Sequence, residues 1–315
     1  MAELLSFRSL YASDERHAIL AGLSLHVDRS ETVAIVGESG CGKTMSIGAL
    51  LGILPDDVSI TAGSIVFDGE DVLSYSGRER KARLYSRIGF VPQNTSDSLY
   101  PLMTVSEVMT DAYAHSHPDV GRRQAKEKAA MLLSSLGIED TGRVLSLYPF
   151  QLSGGMKQRI NIAAALMDDI DLLVADEPTS ALDIHIRRQI ETLYASLSDR
   201  EGLSMLVVSH DLGFVHSIAD RVYVMYAGRI IEEGKCDEIF SAPVHPYTKA
   251  LIELSRMKTM DRAHDLPELG RLASAVDRES PACAFLPRCC CRRESCAVSV
   301  EYACLSDTHF VRCVL

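Results

Sequence analysis

The sequence contains no tryptophan, and aromatic residues make up only 6% of it. A surface that stacks nucleic-acid bases needs such rings, so their scarcity speaks against one. Positive charge is also short. The chain has 32 Lys and Arg against 43 Asp and Glu, a formal net charge of −11. Phosphate-backbone binding wants a basic face, so no nucleic-acid partner is expected. No apolar run approaches the length of a bilayer-crossing helix. The first residues, Met1 to Arg8, lack the basic start and apolar middle of an export signal. What is there is a chain of 315 residues, 47% apolar and 24% charged. That is enough for one large or two medium domains with a sizeable core.

Hydrophobic periodicity gives an α/β pattern. Residues 4–36 read as strands: Leu23, Leu25 and Val27 alternate, and Thr32 to Val36 is a continuous apolar run suited to a strand covered on both faces. After a glycine-rich turn, Ile47, Leu50, Leu51 and Leu54 line one helical face, which Pro55 ends. Ile65-Val66-Phe67 before Asp68-Gly69 predicts a strand and a tight hairpin turn. From about 95 to 152 helical spacing takes over, as in Ala125, Ala129, Leu132, Leu133 and Leu136, which reads as a helical insert. A further helix is expected over 153–167. Leu172 to Ala175 and Met205 to Val208 are buried strands, with a helix through Ile186, Ile190, Leu193 and Leu197 between them. Arg221 to Met225 and Arg229 to Glu232 form a closing strand pair about Ala227-Gly228. Beyond Gly234 come a short helix at Glu238 to Phe240, the run Pro243 to Thr248, a helix to about Met257, a polar linker over 258–281 and a Cys-rich end.

Three motifs carry chemistry. Gly37-Glu38-Ser39-Gly40-Cys41-Gly42-Lys43-Thr44 fits G-x-x-x-x-G-K-[ST] and lies between a buried strand and an amphipathic helix. Glycines let backbone N–H groups wrap phosphates, and the following helix turns its positive end toward them. Lys43 adds charge at the β/γ-phosphates, and Thr44 offers a hydroxyl to Mg²⁺. Cys41 reads as a small side chain in this loop. Asp176-Glu177 ends a buried strand, where the Asp can hold Mg²⁺ and the Glu can polarise an attacking water. Leu152-Ser153-Gly154-Gly155-Met156 starts a helix with Ser153 as N-cap. It could grip a γ-phosphate shared between two copies of the domain.

In this order the motifs resemble the ATP-binding subunit of an ABC transporter, over roughly residues 4–240. The resemblance implies a P-loop NTPase core with a mixed β-sheet and a helical insert subdomain. Gly37 to Thr44 resembles Walker A, Gln93 the Q-loop glutamine, and Leu152 to Met156 the signature sequence. Asp176 resembles the Walker B aspartate, Glu177 the catalytic glutamate, Ser180 to Asp183 the D-loop and His210 the switch histidine. It implies ATP and Mg²⁺ as ligands, with Thr44, Gln93 and Asp176 on the metal. It also implies a second ABC ATPase subunit as partner, usually a different chain, two transmembrane permease subunits and, indirectly, an extracytoplasmic solute-binding protein. The place would be the cytoplasmic face of the membrane. The family usually has an aromatic ring near Ser13 or Asp14 to stack on adenine. Neither residue is aromatic, and Tyr11 is the nearest ring.

Ser153 to Arg159, His245-Pro246-Tyr247-Thr248 and Cys283-x-Phe285-x-x-Arg288-Cys289 resemble the branch that imports dipeptides, oligopeptides or nickel. The expected division is 1–235 for the ATPase domain, with its insert at about 95–165, and 236–315 for a C-terminal extension. Seven of nine cysteines lie between Cys283 and Cys313. Cys283, Cys289, Cys296 and Cys313 could hold an iron–sulfur cluster, [4Fe-4S], or tetrahedral Zn²⁺, or nothing. Peptide is the expected cargo, with nickel open. A soluble ABC ATPase without a transport role is the more distant alternative.

Overall fold

The structure, a computed structural model, describes residues 2–94, 98–180, 182–199, 202–258 and 280–314. Most of the expected linker and Ala181 of the D-loop lie outside the described residues. The chain forms two compact units, Met1–Tyr75 with Val208–Leu315, and Ser76–Val207.

The first unit opens with β1 (Glu3–Ser13), β2 (Ala18–Asp28), β3 (Thr32–Val36), α1 (Lys43–Leu51), β4 (Ser59–Phe67) and β5 (Glu70–Asp71). The second holds α2 (Gly77–Leu84), β6 (Ile88–Val91), α3 (Val105–Ser116), α4 (Arg122–Ser135), α5 (Thr141–Val144), α6 (Gly154–Ala165), β7 (Leu172–Asp176) and α7 (Ile184–Ser198). β8 (Ser204–Ser209) leads back to the first unit. There follow α8 (Leu212–Ile218), β9 (Arg221–Tyr226), β10 (Arg229–Lys235), α9 (Cys236–Ser241), α10 (Pro246–Lys258), β11 (Ala303–Cys304) and β12 (Phe310–Val311).

In the first unit, β1 lies between β2 and β4, antiparallel to both. Along β2, Leu23, Leu25 and Val27 are buried, as their alternation requires. β4 turns into β5 through Asp68 (φ 50) and Gly69 (φ 83). Two successive left-handed residues are what a tight two-residue hairpin needs, so the expected turn is there. β3 runs parallel to β9 with every residue buried. β10 pairs antiparallel with β9 on one side and with β12 on the other, and β12 pairs with β11. The core of this unit gathers β3, β9, α8, α9 and α10, and includes Phe285 from the Cys-rich end. In the second unit β6 and β7 are parallel.

Helix α1 stops earlier than its apolar spacing predicts. Gly52 takes φ 71 and donates its N–H to the Gly48 carbonyl, closing the helix at Leu51. Leu54 therefore lies outside the helix. Among the elements that went unread are α2, β6, α8, β11 and β12. α2, Gly-Arg-Glu-Arg-Lys-Ala-Arg-Leu, has too little apolar surface to show a face, and β6 is only four residues long. No helix among the described residues is long and apolar enough to cross a membrane.

Candidate functional site

The Gly37–Thr44 segment bridges β3 and α1, as strand–loop–helix logic requires. Its glycines are there for space as well as conformation. A Cβ on Gly37 would overlap the Met225 carbonyl oxygen, and one on Gly42 (φ 113) would come within 2.9 Å of the Met225 methyl. A Cβ on Gly40 (φ 79) would meet nothing within 4 Å, so there the backbone torsion is the reason for glycine. Gly42 caps α1 with no side chain bonded to the helix start. The positive helix end is thus presented by backbone, an arrangement suited to an anion. Lys43 is buried, and its Nζ donates to the carbonyls of Gly37 (2.8 Å) and Glu38 (3.1 Å). Its ammonium therefore lies across the mouth of the turn. Ser39, Gly40 and Thr44 are exposed, while Cys41 is buried. The Cys41 carbonyl accepts from Gly228 N–H at 2.8 Å, tying the loop to the β9–β10 turn.

The loop is also held from the C-terminal extension. Tyr247 Oη accepts the Glu38 N–H at 2.8 Å. Arg288 grips the Glu38 carboxylate with both Nη atoms, each at 2.9 Å. Neither residue was expected at the site. The sequence signalled both only as marks of a subfamily.

His210 follows β8 in the first unit and is exposed. Its neighbour Asp211 caps α8, accepting from Gly213 N–H (3.1 Å) and Phe214 N–H (3.2 Å). Tyr11 is 40% exposed, and its ring lies over Gly22, where a Cβ would come within 3.0 Å of Tyr11 Oη.

The other expected residues belong to the second unit. Asp176 ends β7 and is buried. Glu177, also buried, has φ 50, and its carbonyl accepts from Ser180 N–H (3.0 Å) and Ser180 Oγ (2.8 Å). Ser153 caps α6 as expected, its Oγ accepting from Met156 N–H at 3.3 Å. Gly154 is exposed with open space where a Cβ would be, whereas a Cβ on Gly155 would press Ile186 Cγ2 at 2.8 Å. Gly154 thus leaves backbone accessible and Gly155 lets α7 approach. Asp183 caps α7, accepting from His185 and Ile186 N–H groups at 3.0 Å each. Gln93 follows β6 and is exposed.

The cysteines are all free thiols. Burial pushes the Cys283 thiol up, and Cys296, Cys313 and Cys289 push it further, so these four lie within electrostatic reach of one another. No group of three or more His, Cys, Asp or Glu among the described residues is arranged to hold a metal ion. The expected four-thiolate set is therefore drawn into one neighbourhood without being closed into a binding geometry.

Residues 20–180 match the ABC transporter family, and residues 231–296 match the oligopeptide/dipeptide transporter C-terminal region. The chain belongs to the ABC transporter ATP-binding family. It is similar to the dipeptide transport ATP-binding protein DppD of Bacillus subtilis, at 36% identity over 100% of this chain and 95% of that one. It is also similar to DppF of Escherichia coli, at 37% over 90% and 82%. The probable peptide ABC transporter ATP-binding protein y4tR of Sinorhizobium fredii matches at 38% over 89% and 83%. Among solved structures, the ATP-binding cassette MJ0796, a dimer bound to ADP and Pi, superposes with TM-score 0.66 at 25% identity, covering 74% of this chain and 99% of that one. CbiO1 of Clostridium perfringens gives TM-score 0.66 at 26% identity over 82% and 99%. The fold is that of an ABC ATPase cassette, and the chain is an ABC-type ATPase. DppD, DppF and y4tR carry peptide-transport names, and none of the three carries a nickel-transport name.

Proposed function

We propose that this cassette is the ATP-hydrolysing subunit of an importer of dipeptides or oligopeptides. The observation that carries it is the presence, on one chain, of a phosphate cradle and the oligopeptide/dipeptide transporter C-terminal region. Gly37 to Thr44 would bind the triphosphate through backbone amides and Lys43. The cradle suits an anion, because glycine backbone and a helix start converge there. Thr44, Gln93 and Asp176 would hold Mg²⁺, which neutralises phosphate charge when bound. Glu177 would orient and deprotonate the attacking water, and His210 would touch the terminal phosphate. Ser153, Gly154 and Gly155 would face the triphosphate held by a second cassette, most simply that of a different chain. The triphosphate would then join two protein surfaces, and its cleavage would let them part.

The working assembly would add two permease subunits, with the cassette peripheral on the cytoplasmic face of the membrane and a solute-binding protein acting outside. Residues 1–235 would form the ATPase domain and 236–315 its extension. The finer reading of the tail is a metal or [4Fe-4S] cluster on Cys283, Cys289, Cys296 and Cys313, and it rests on the residue type and spacing of those thiols alone.

The experiment is ATP hydrolysis by the purified complete complex in vesicles with the solute-binding protein, comparing di- and oligopeptides with Ni²⁺. Stimulation by peptides is expected. Stimulation by Ni²⁺ alone removes the peptide reading, and absence of any ATP hydrolysis removes the ATPase reading.

A further inference from the structure

The phosphate cradle contains a charge of the wrong sign. Glu38 is the second residue of the loop, and an ionised carboxylate there repels the triphosphate that the amides and Lys43 attract. Arg288 answers that charge from 250 residues away, with two parallel hydrogen bonds of 2.9 Å to the two carboxylate oxygens. The fork-to-fork geometry fixes direction as well as charge. The Arg288 side chain is only 6% exposed and that of Glu38 21%, so solvent does little to screen the pair.

Arg288 is itself held in place. Its guanidinium lies 5.7 Å from the ring centroids of both Tyr226 and Phe285. It donates to Tyr226 Oη at 3.2 Å. Phe285 packs edge-on against Tyr226 (5.3 Å) and Tyr247 (5.4 Å), and all three rings are buried. Tyr247 then binds the amide of Glu38 itself. Backbone and side chain of one loop residue are therefore gripped together by the C-terminal extension.

We propose that Arg288 is a positioning residue of the nucleotide site, cancelling the charge of Glu38 and holding it turned toward the extension, away from the path of the phosphates. This rests on the reading of Gly37–Thr44 as the nucleotide cradle. It makes the extension a working part of ATP binding. It also gives the motif that ends in Arg288-Cys289 a role independent of any metal.

The test is equilibrium titration of the purified full chain with the fluorescent nucleotide mant-ATP and Mg²⁺. Arg288→Gln keeps the stem and a hydrogen-bonding end but removes the charge. It should raise Kd roughly ten-fold, the size expected for one uncancelled charge close to a bound anion. Adding Glu38→Gln to it should restore Kd to within about three-fold of the unmodified chain, because the repulsion is gone. Arg288→Lys, with charge but no fork, should fall between. Binding stoichiometry and thermal unfolding are read on the same samples. A merely structural role would lower both and would not be rescued by the second substitution. Equal Kd for Arg288→Gln and the unmodified chain overturns the proposal, as does a double variant no better than the single. Should Arg288→Gln not melt cooperatively, the double variant, which leaves no charge unpaired, carries the test: ten-fold weaker binding by it overturns the proposal. Failure of the unmodified chain to bind mant-ATP sinks instead the reading of the cradle, a distinct result.

Discussion

Glu177 holds a backbone torsion that L-residues avoid, φ 50, and does so directly before Pro178. The left-handed region costs a non-glycine residue about 1 kcal/mol, and a following proline narrows the choice further. Ser180 stabilises the turn by donating twice to the Glu177 carbonyl. Strain kept in place at the end of a buried strand fits a side chain whose direction matters more than its comfort. Glu177→Gln keeps size and torsion and removes the base. In the assembled transporter it should lower phosphate release by roughly 10²–10⁴-fold while ATP binding persists and cassette pairing becomes more durable. Phosphate assays and size-exclusion chromatography with ATP check this; normal turnover would take Glu177 out of its assigned role.

At the scale of elements, the start of α10 is nailed to β10 by one carboxylate. Glu232 is fully buried and accepts the N–H groups of Val244 (2.7 Å) and His245 (2.9 Å). His245 Nδ1 in turn accepts the Tyr247 N–H at 3.1 Å, which requires that nitrogen to be unprotonated. Burial pushes the His245 imidazole down from 6.5 to about 4. The sign follows from proton uptake. Between pH 6.5 and about 4 the unfolded chain binds a proton that the folded chain refuses, so acid favours unfolding. This contribution is complete above pH 6.5 and lost as pH falls through about 4, on the order of 3 kcal/mol in all. His245→Gln should flatten the fall in stability between pH 7 and 5, measured by urea unfolding. An unchanged slope would mean that His245 does not carry it. The same element-level view explains why α1 ended early. Periodicity reports which side chains want burial, and a left-handed glycine decides where the backbone turns.

Across the whole molecule, the chain end returns to the first unit. β12 covers the edge of β10, Arg312 N–H donates to the Ile231 carbonyl at 2.8 Å, and His309 Nε2 meets Glu232 at 2.8 Å. A covered edge cannot recruit another strand. The extension is thus built into the unit that carries the Gly37–Thr44 loop. Its thiols are gathered by the same return of the chain, which brings Cys313 near Cys283, Cys289 and Cys296. Full-length protein purified without oxygen should be brown and absorb in the near-visible if they hold an iron–sulfur cluster. Colourless protein free of iron and zinc would leave the four thiols as ordinary packing.

The Gly37–Thr44 loop was legible because its physics is local: eight consecutive residues supply the glycines, the lysine and the helix start. The buried strands β3, β7 and β8 were legible for the same reason, since continuous apolar runs need no distant partner to be recognised. α2, β6 and the two-residue strands near the end leave too little periodic signal. The sequence by itself determined that this chain places a glycine-rich loop ending in a lysine between a buried strand and a helix. Only the tertiary structure decided that Arg288 and Tyr247 hold that loop, because a pairing across more than 200 residues leaves no periodicity to read and exists only once the core around Phe285 has closed.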